Sequence, residues 1–256
     1  MKFQAVSELV DRVPFIGREN ARFLYDLILK DRIRRILELG IAHGTATCYM
    51  AAALQELGGG SITAVDLIEA KDYFKPSAEQ QLAKAKLSHF VDIVRMQTGY
   101  TWFLHDEIKK LTRDDICSQE YDLCVIDGCK NWTIDGFAFF LVDKILKDKG
   151  WIIFDDYNWT YEDAQTRRDA TDGITHRELS EPERKTPHIR EVFELLVKQH
   201  PNYSEFHQIA DGNWAFARKV LSRRKTYTIR YRQTEGDFVV NAWLTVKRRA
   251  KRLLNL

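Results

Sequence analysis

The sequence predicts an α/β fold in which a mostly parallel, seven-stranded sheet has helices on both faces and ends in an antiparallel hairpin. Two observations lead to this prediction. Between residues 35 and 154, short apolar segments without polar alternation recur five times among helix-like segments, a pattern typical of parallel strands buried on both faces. Segments 203–209 and 214–220 then flank Asp211-Gly212-Asn213, which signals a hairpin.

The first elements are two helices and two strands. Residues 18–30 repeat apolar side chains at helical spacing, and residues 35–40 form a short strand that ends in glycine. Residues 45–57 are alanine-rich and helical, and the three glycines at 58–60 end that helix. Residues 61–67 are predicted as the second strand.

The alternation continues up to residue 154 and then stops. Helices are predicted at 77–88, 102–111 and 134–146, and strands at 91–96, 121–126 and 150–154. Residues 157–186 are polar and lack an apolar period, which indicates a functional or disordered loop. A helix at 188–200 then precedes the hairpin.

The formal net charge of +2 conceals two parts of opposite sign. The 256 residues include 39 Lys/Arg and 37 Asp/Glu. The last 36 residues hold ten basic and two acidic side chains, a net +8, and the first 220 hold 29 basic and 35 acidic side chains, a net −6. We therefore predict a domain over residues 1–220 and a basic C-terminal extension over residues 221–256.

Several protein classes do not match this sequence. No apolar run approaches the roughly 18–20 residues of a membrane span. Glu8 and Asp11 stand where a secretory signal needs an unbroken apolar core. The four cysteines form no Cys-x-x-Cys pair. We expect a soluble, cytoplasmic protein of a reducing compartment.

Ligands of an open parallel sheet bind at the carboxyl ends of its strands, and the first strand ends in a glycine-rich turn. In Glu38-Leu-Gly-Ile-Ala-His-Gly44, Gly40 and Gly44 allow a tight turn and a close approach to a ligand. The spacing differs from the Gly-x-Gly-x-x-Gly of dinucleotide enzymes, which argues against a nicotinamide-dependent oxidoreductase. Asp66 closes the second strand, where a carboxylate can bind ribose hydroxyls. The alternative for Asp66 is a helix N-cap or a surface acid.

Three carboxylates follow two later strands. Asp127 begins Asp-Gly-Cys-Lys130, and Asp155 and Asp156 come after the next strand. Like charges this close resist ionisation unless a cation lies between them, and an all-oxygen set suits Mg²⁺ better than zinc. Lys130 beside a metal-bound hydroxyl can serve as a general base. The alternatives are an Asx-type turn for the aspartate pair and a solvated surface charge for Lys130.

Because these motifs follow its strands in this order, the chain resembles class I S-adenosylmethionine-dependent methyltransferases. The closest likeness is to metal-dependent small-molecule O-methyltransferases of the catechol, caffeoyl-CoA, sugar and macrolide types. The matching stretches are PFIGRENARFLYDLI (14–28), ELGIAHGTAT (38–47), ITAVDL (62–67), VIDGCKNW (125–132) and GWIIFDDY (150–157). The resemblance implies a Rossmann-like class I methyltransferase fold. It also implies Mg²⁺-assisted methyl transfer from S-adenosyl-L-methionine to a hydroxyl of a sugar, phenol or natural product.

The resemblance also implies a role for each matching residue. Cofactor-binding roles fall on Glu38, Gly40, Gly44, Asp66, Gly99, Tyr100 and Asp127. The first three would line the methionine portion, Asp66 would hold the ribose, and the turn at Gly99 and Tyr100 would contact adenine. Metal-ligand positions fall on Asp127, Asp155 and Asp156. Asp127 and Lys130 match an Asp-x-x-Lys motif of the family. The resemblance implies that Lys130 is the base and that Asp127 is the second catalytic residue.

Two departures from the family pattern leave the base and the substrate class open. The catechol-type metal site ends in Asp-Asn, whereas this chain has Asp155-Asp156, as in the sugar-modifying relatives. Those relatives carry a second acid or a histidine where this chain has Cys129-Lys130. Residues 157–186 are the predicted substrate lid. Its candidate contacts to an aromatic or anionic acceptor are Trp159, Tyr161, Arg167, Arg168 and His176, each of which is alternatively a surface residue.

The basic extension allows several alternatives. Residues 238–254 place apolar side chains at helical spacing among basic ones. Such a helix packs on the domain or on a partner subunit of a homo-oligomer, lies on an anionic membrane, or binds nucleic acid. A nucleic-acid methyltransferase is therefore the second hypothesis, although the chain lacks the Asn/Asp-Pro-Pro-Tyr/Phe signature. A cofactor-binding scaffold without catalysis is the third.

Overall fold

Strands and helices alternate along the chain in this computed structural model, which describes residues 1–10, 12–162, 179–209 and 213–221. The strands are β1 (Arg35–Leu39), β2 (Ser61–Leu67), β3 (Val91–Met96), β4 (Thr112–Arg113), β5 (Ile116–Cys117), β6 (Tyr121–Ile126), β7 (Leu146–Phe154), β8 (Tyr203–Ile209) and β9 (Trp214–Lys219). The described residues lie within one unit, Met1–Arg224. The predicted extension, Leu221 excepted, lies outside them.

The helices lie between the strands of the parallel part and before the hairpin. They are α1 (Phe3–Val10), α2 (Arg18–Asp31), α3 (Thr45–Glu56), α4 (Ala70–Tyr73), α5 (Ala78–Ala85), α6 (Tyr100–Leu111), α7 (Trp132–Ile145), α8 (Glu181–Lys185) and α9 (His188–Glu191). α9 continues as a π-helical turn, Val192–Val197, and a 3-10 turn, Ser88–Phe90, precedes β3. No helix in the described ranges is long and apolar enough to cross a membrane.

Seven strands form the main sheet in the order β3-β2-β1-β6-β7-β9-β8. The first five of these run parallel, β9 runs antiparallel to β7, and β8 pairs antiparallel with β9. β4 and β5 form a separate two-stranded ribbon. The predicted fold class, a mostly parallel seven-stranded α/β sheet with a terminal antiparallel pair, is confirmed.

The central strands are mostly apolar because the middle of the sheet is buried on both faces. Side chains alternate between the faces along a strand, so Ile36 and Leu37 of β1 belong to two different hydrophobic clusters. One cluster includes residues of α1, α2, α3 and α5, and the other includes residues of α6, α7 and α9. Each face thus acquires its own helical layer.

Several boundaries and short elements differ from the prediction. α7 begins at Trp132, two residues before the predicted start, because the Asn131 side chain accepts hydrogen bonds from the amides of Thr133 and Ile134. α1, α8 and the β4–β5 ribbon were not predicted, since eight, five and two residues are too short for a periodicity signal. The two predicted strands of the hairpin are confirmed, but residues 210–212 between them lie outside the described residues.

The register of the sheet places residues at the carboxyl ends of four central strands in one row. Leu39 is paired with Val65 and with Ile126, and Ile126 is paired with Phe154. The next residues along the four strands are Asp66, Gly40, Asp127 and Asp155, in the order of the strands across the sheet. Neighbouring strands lie about 4.8 Å apart. The row therefore brings the predicted cofactor and catalytic residues to one edge of the sheet.

Candidate functional site

The glycine-rich turn after β1 lies against the backbone that follows β6. Gly40 has φ 89°, a left-handed conformation that favours glycine. A Cβ atom there would come within 2.7 Å of the Asp127 carbonyl carbon and 2.8 Å of the Gly128 Cα. Gly44 has φ 73° as the N-cap of α3, and a Cβ there would lie 2.6 Å from the Ala78 Cβ. Both glycines are thus required by the local backbone.

The Asp66 carboxylate organises this turn. Its Oδ2 accepts hydrogen bonds from the amides of Ile41 at 3.0 Å and Ala42 at 2.9 Å, and its Oδ1 accepts one from the Leu67 amide at 2.7 Å. The simple alternatives of a helix N-cap or a free surface acid do not describe this arrangement. A carboxylate retains further acceptor capacity after three such bonds, so a role toward a ribose remains compatible with it.

Glu38 is a buried acid one residue before the end of β1. Its side chain is 2% exposed, and Thr47 Oγ1 donates a hydrogen bond to Glu38 Oε2 at 2.7 Å. Burial raises the pKa of Glu38 to about 8, partly opposed by the Thr47 hydrogen bond, and nearby Asp127 and Asp66 add to the rise. Glu38 therefore holds a proton at neutral pH in this structure.

Lys130 occupies the centre of the predicted carboxylate set. Its Nζ donates a short hydrogen bond to Asp127 Oδ1 and lies 3.2 Å from Asp156 Oδ2. The Lys130 side chain is 6% exposed, whereas those of Asp127 and Asp156 are 26% and 33% exposed. The alternative of a solvated surface charge at Lys130 is therefore wrong. The ammonium is buried within a carboxylate cluster that opens toward solvent on its acidic side.

The charges of this cluster are mutually dependent. Burial lowers the pKa of the Lys130 ammonium, but Asp127, Asp156 and Asp155 outweigh it, so the net shift is upward and the ammonium form is favoured. Burial raises the pKa of Asp155, and the neighbouring Asp127 and Asp156 raise it further. The Asp155 Oδ1 accepts a hydrogen bond from the Asp156 amide at 2.6 Å. The Lys130 ammonium thus interacts electrostatically with all three carboxyl groups.

The predicted metal ligands are not arranged as a metal site. Among residues 1–10, 12–162, 179–209 and 213–221, no three histidine, cysteine, aspartate or glutamate side chains are grouped so as to hold an ion. Lys130 Nζ lies between Asp127 and Asp156 instead. As arranged here, Asp127, Asp155 and Asp156 do not fit Mg²⁺, because their cation partner is an ammonium of the same chain.

Tyr100 does not project into the cleft, and its side chain instead supports the Lys130 loop. The Tyr100 hydroxyl is buried, donates a short hydrogen bond to Asp135 Oδ1, and accepts one from the Cys129 amide at 3.1 Å. The Asn131 amide donates to Asp135 Oδ2 at 2.7 Å. Tyr100 and Asp135, here named the loop clamp, therefore hold the residues on both sides of Lys130.

The adenine contact predicted for Gly99 and Tyr100 stays a prediction, and the hydroxyl of Tyr100 is engaged by Asp135 and the Cys129 amide. The loop clamp was not predicted from the sequence. A signal was present, since Asp135 is an acid on the apolar face of α7 and is 0% exposed. A buried acid requires a hydrogen-bond partner, but the sequence does not name that partner.

The first residues of the predicted lid pack on the same loop. The Tyr161 hydroxyl donates to the Cys129 carbonyl at 3.3 Å and accepts from Asn131 Nδ2 at 3.3 Å. The Trp159 ring lies edge-on to Tyr161 with centroids 4.9 Å apart. Arg167, Arg168 and His176 lie outside the described residues, so their predicted contacts stay predictions.

Comparison with protein families and curated sequences gives one domain and one relative. Residues 37–157 match a family model described as a methyltransferase domain. Arsenite methyltransferase of Mus musculus is 30% identical over 125 residues, or 48% of this chain. The chain spans only 30% of the length of that relative. The matched domain contains the glycine-rich turn and every residue of the carboxylate cluster.

Solved structures share the fold at low sequence identity. A Staphylococcus aureus protein assigned as a caffeoyl-CoA O-methyltransferase has a TM-score of 0.58 at 20% identity, with 86% of this chain and 92% of that chain covered. A Bacillus cereus O-methyltransferase in complex with S-adenosylhomocysteine has a TM-score of 0.57 at 18% identity, with the same coverage of 86% and 92%. These matches show that the chain shares the fold of these O-methyltransferases, as the resemblance noted in its sequence predicts.

We predict that Gly128→Ala destabilises the chain through Tyr100. A Cβ at position 128 would come within 2.6 Å of the Tyr100 hydroxyl oxygen, and overpacking of this kind costs about 1–3 kcal/mol. In a Tyr100→Ala background the obstacle is absent, so the same substitution should cost much less. Urea unfolding of the four proteins of this cycle measures the difference. An equal cost in both backgrounds would show that Tyr100 does not confine Gly128.

We predict that Glu38→Gln flattens the pH dependence of stability. The pKa of Glu38 in the folded chain, about 8, exceeds its ordinary value of 4.5. The folded state therefore keeps a proton that the unfolded state loses. The stability from this group is complete below pH 4.5 and is lost as pH rises toward 8, by at most about 1.4 kcal/mol per pH unit.

Urea unfolding at several pH values between 5 and 8 tests this prediction. The free energy of unfolding of the wild type should fall more steeply with pH than that of Glu38→Gln. Glu69→Gln, which changes an exposed acid, is the matched control and should follow the wild type. Parallel curves for all three proteins would contradict the predicted protonation of Glu38.

Proposed function

We propose that this chain, which has the fold of class I O-methyltransferases and a methyltransferase domain at residues 37–157, transfers a methyl group from S-adenosyl-L-methionine to a hydroxyl of a small molecule. The main support for this proposal is the row of residues at the carboxyl ends of β2, β1, β6 and β7. In this row, a tight glycine turn and an acid that can bind a ribose lie beside a cluster of one ammonium and three carboxyl groups.

Cofactor binding is proposed at the β2–β1 end of this row. Gly40 and Gly44 allow the methionine portion to approach the backbone, and Glu38 lies beneath it with a polar side chain. Asp66 would accept hydrogen bonds from the ribose hydroxyls in addition to those from the turn. The backbone at Gly99 would contact adenine, and Asp127 borders the cofactor at the next strand. Gly40, Asp66 and Asp127 stand in the row itself, and Glu38 and Gly44 lie close to Gly40 along the chain.

The chemistry needs little beyond alignment and one proton transfer. The acceptor hydroxyl oxygen attacks the methyl carbon, the carbon–sulfur bond breaks, and its electron pair stays on sulfur, which becomes a neutral thioether. The hydroxyl proton passes to a base of the protein. Holding the two reactants in line provides much of the rate acceleration, because it removes the entropy cost of bringing them together.

We assign the proton acceptor to the carboxylates and not to Lys130. A general base needs a free lone pair, but Lys130 Nζ donates to Asp127 and contacts Asp156. We propose Asp127 and Asp155 as the proton acceptors, and the Lys130 ammonium as the group that stabilises the negative charge developing on the acceptor oxygen. This assignment replaces the predicted base role of Lys130. It includes no step through Mg²⁺, because the ammonium stands among the predicted ligands.

The acceptor is proposed to be a small phenol, sugar or natural product. Aromatic Trp159 and Tyr161 pack beside the cluster, which suits a planar or ring-shaped acceptor. None of the cysteines among the described residues forms a disulfide, which suits the proposed location in the cytoplasm. The nucleic-acid hypothesis and a homo-oligomer both depend on the basic extension, 221–256, which lies almost entirely outside the described residues.

Detection of methyl transfer tests the proposal directly. The full chain is incubated with S-adenosyl-L-methionine and, separately, with phenols, sugars, arsenite or RNA, and S-adenosylhomocysteine and methylated product are measured by mass spectrometry. The proposal expects product from a hydroxylated small molecule. Product from RNA or arsenite alone would replace the acceptor class, and cofactor binding without any turnover would favour the scaffold hypothesis.

We predict that Asp66→Asn removes discrimination for the ribose hydroxyls. Wild-type chain should bind S-adenosylhomocysteine at least about tenfold more tightly than its 2′,3′-dideoxy analogue, because each hydrogen bond to a charged group contributes about 1.5–3 kcal/mol. Asp66→Asn should bind both ligands with similar affinity in calorimetric titrations. If the variant weakens both ligands equally and keeps the wild-type ratio, Asp66 acts only on the turn.

We predict that Asp155→Ala lowers turnover by roughly 100-fold or more while S-adenosylhomocysteine binding survives, because proton transfer contributes about 10²–10⁴-fold. Steady-state kinetics and calorimetry measure the two effects separately. Asp72→Ala changes an exposed acid of α4 and should retain wild-type turnover. Unchanged turnover in Asp155→Ala would remove Asp155 from the proposed mechanism.

A further inference from the structure

We infer that Lys130 is the resident cation of the carboxylate cluster, so that its ammonium takes the place of a divalent metal ion and its removal creates a divalent-ion site. This inference deepens the proposed function, because it names the cation that acts beside the acceptor. It concerns ion binding, however, and can be tested without turnover. Three observations support it. Lys130 Nζ lies beside Asp127 and Asp156, an oxygen of Asp155 accepts a backbone hydrogen bond, and the loop that contains Lys130 is held in place.

The position of Lys130 Nζ conflicts with a metal ion at the same carboxylates. Mg²⁺ requires oxygens at about 2.0–2.1 Å in nearly octahedral geometry. Lys130 Nζ is hydrogen-bonded to Asp127 Oδ1 and lies 3.2 Å from Asp156 Oδ2. An ion bound to these two oxygens would either coincide with the ammonium or lie a few ångströms from it. Two cations at that separation in a buried site repel strongly.

One oxygen of the third predicted ligand is engaged by the backbone. Asp155 Oδ1 accepts the Asp156 amide at 2.6 Å, which fixes the orientation of that carboxyl group. Asp156 itself has φ 57°, a left-handed conformation that is uncommon for a residue with a side chain. In this conformation the Asp156 Oδ2 lies 3.2 Å from Lys130 Nζ.

Hydrogen bonds hold the backbone on both sides of Lys130. Lys130 is 5% exposed and has φ 58°, a second left-handed residue in the same cluster. The amide before it is bound by Tyr100 and the amide after it by Asp135, and these two side chains are bonded to each other. The loop clamp thus fixes the segment from Cys129 to Asn131 and keeps the ammonium directed into the cluster.

Electrostatics explains why removal of the ammonium should create an ion site. Three carboxyl groups in one partly buried cluster cannot all ionise without a neighbouring positive charge. In the wild type that charge is supplied covalently by Lys130. When the side chain is shortened to alanine, the oxygens of Asp127 and Asp156 lose their partner and space opens between them. A hard divalent cation with oxygen ligands is the species that restores the balance.

Titration of the full chain with Mn²⁺ tests the inference, with the free ion followed by its electron paramagnetic resonance signal. Wild type should bind Mn²⁺ at the cluster only weakly. Lys130→Ala should bind one ion per chain at least about tenfold more tightly than wild type, a difference of about 1.4 kcal/mol. Lys144→Ala removes an exposed lysine of α7 and should behave as wild type. Asp127→Asn in the Lys130→Ala background should abolish the new site.

Lys130→Met, which keeps most of the side-chain volume, provides a second variant if Lys130→Ala does not fold. Stoichiometric binding by wild type that Asp127→Asn abolishes would overturn the inference. Absence of Mn²⁺ binding in folded Lys130→Ala and Lys130→Met would also overturn it. Calorimetric binding of S-adenosylhomocysteine is measured on the same proteins. Its failure in wild type would overturn the proposed function and leave the ion result unaffected.

Discussion

A single buried ammonium, that of Lys130, is the interaction on which the site depends. A buried lysine is tolerated only when it is paired, and here it is bonded to Asp127 and close to Asp156. The same ammonium allows carboxyl groups to gather at the ends of β6 and β7. Without it, their mutual repulsion would oppose the arrangement that places a proton acceptor beside the cofactor.

The surrounding structure is built to keep that ammonium in place. Gly128 has no side chain and so leaves room for the Tyr100 ring, whose hydroxyl binds Asp135 and the Cys129 amide. Gly40 likewise lets the turn after β1 approach the backbone at Asp127. The turn after β1 and the loop after β6 are therefore in direct backbone contact.

The sheet and the row of site residues could be predicted from the sequence because both follow from local patterns. Apolar segments such as 61–67 and 121–126 mark buried parallel strands, and the residue after each strand then lies at the ligand-binding edge. The pairing of Lys130 with Asp127 could not be predicted in this way. Whether a lysine beside three acids approaches an ion or replaces one depends on the backbone at Lys130 and on Tyr100, which is about 30 residues earlier in the chain. The loop clamp joins α6 to α7, and no spacing rule predicts which side chains of two neighbouring helices will meet.

The central claim is methyl transfer supported by an ammonium in place of a metal ion. The most direct measurement is the rate at which the wild-type chain passes an isotopically labelled methyl group from S-adenosyl-L-methionine to a hydroxylated acceptor, with and without a strong chelator. We expect labelled product at the same rate in both conditions, because Lys130 supplies the positive charge. Transfer that stops in chelator and returns with Mg²⁺ would contradict the role assigned to Lys130. Absence of labelled product from every hydroxylated acceptor would contradict the proposed activity itself.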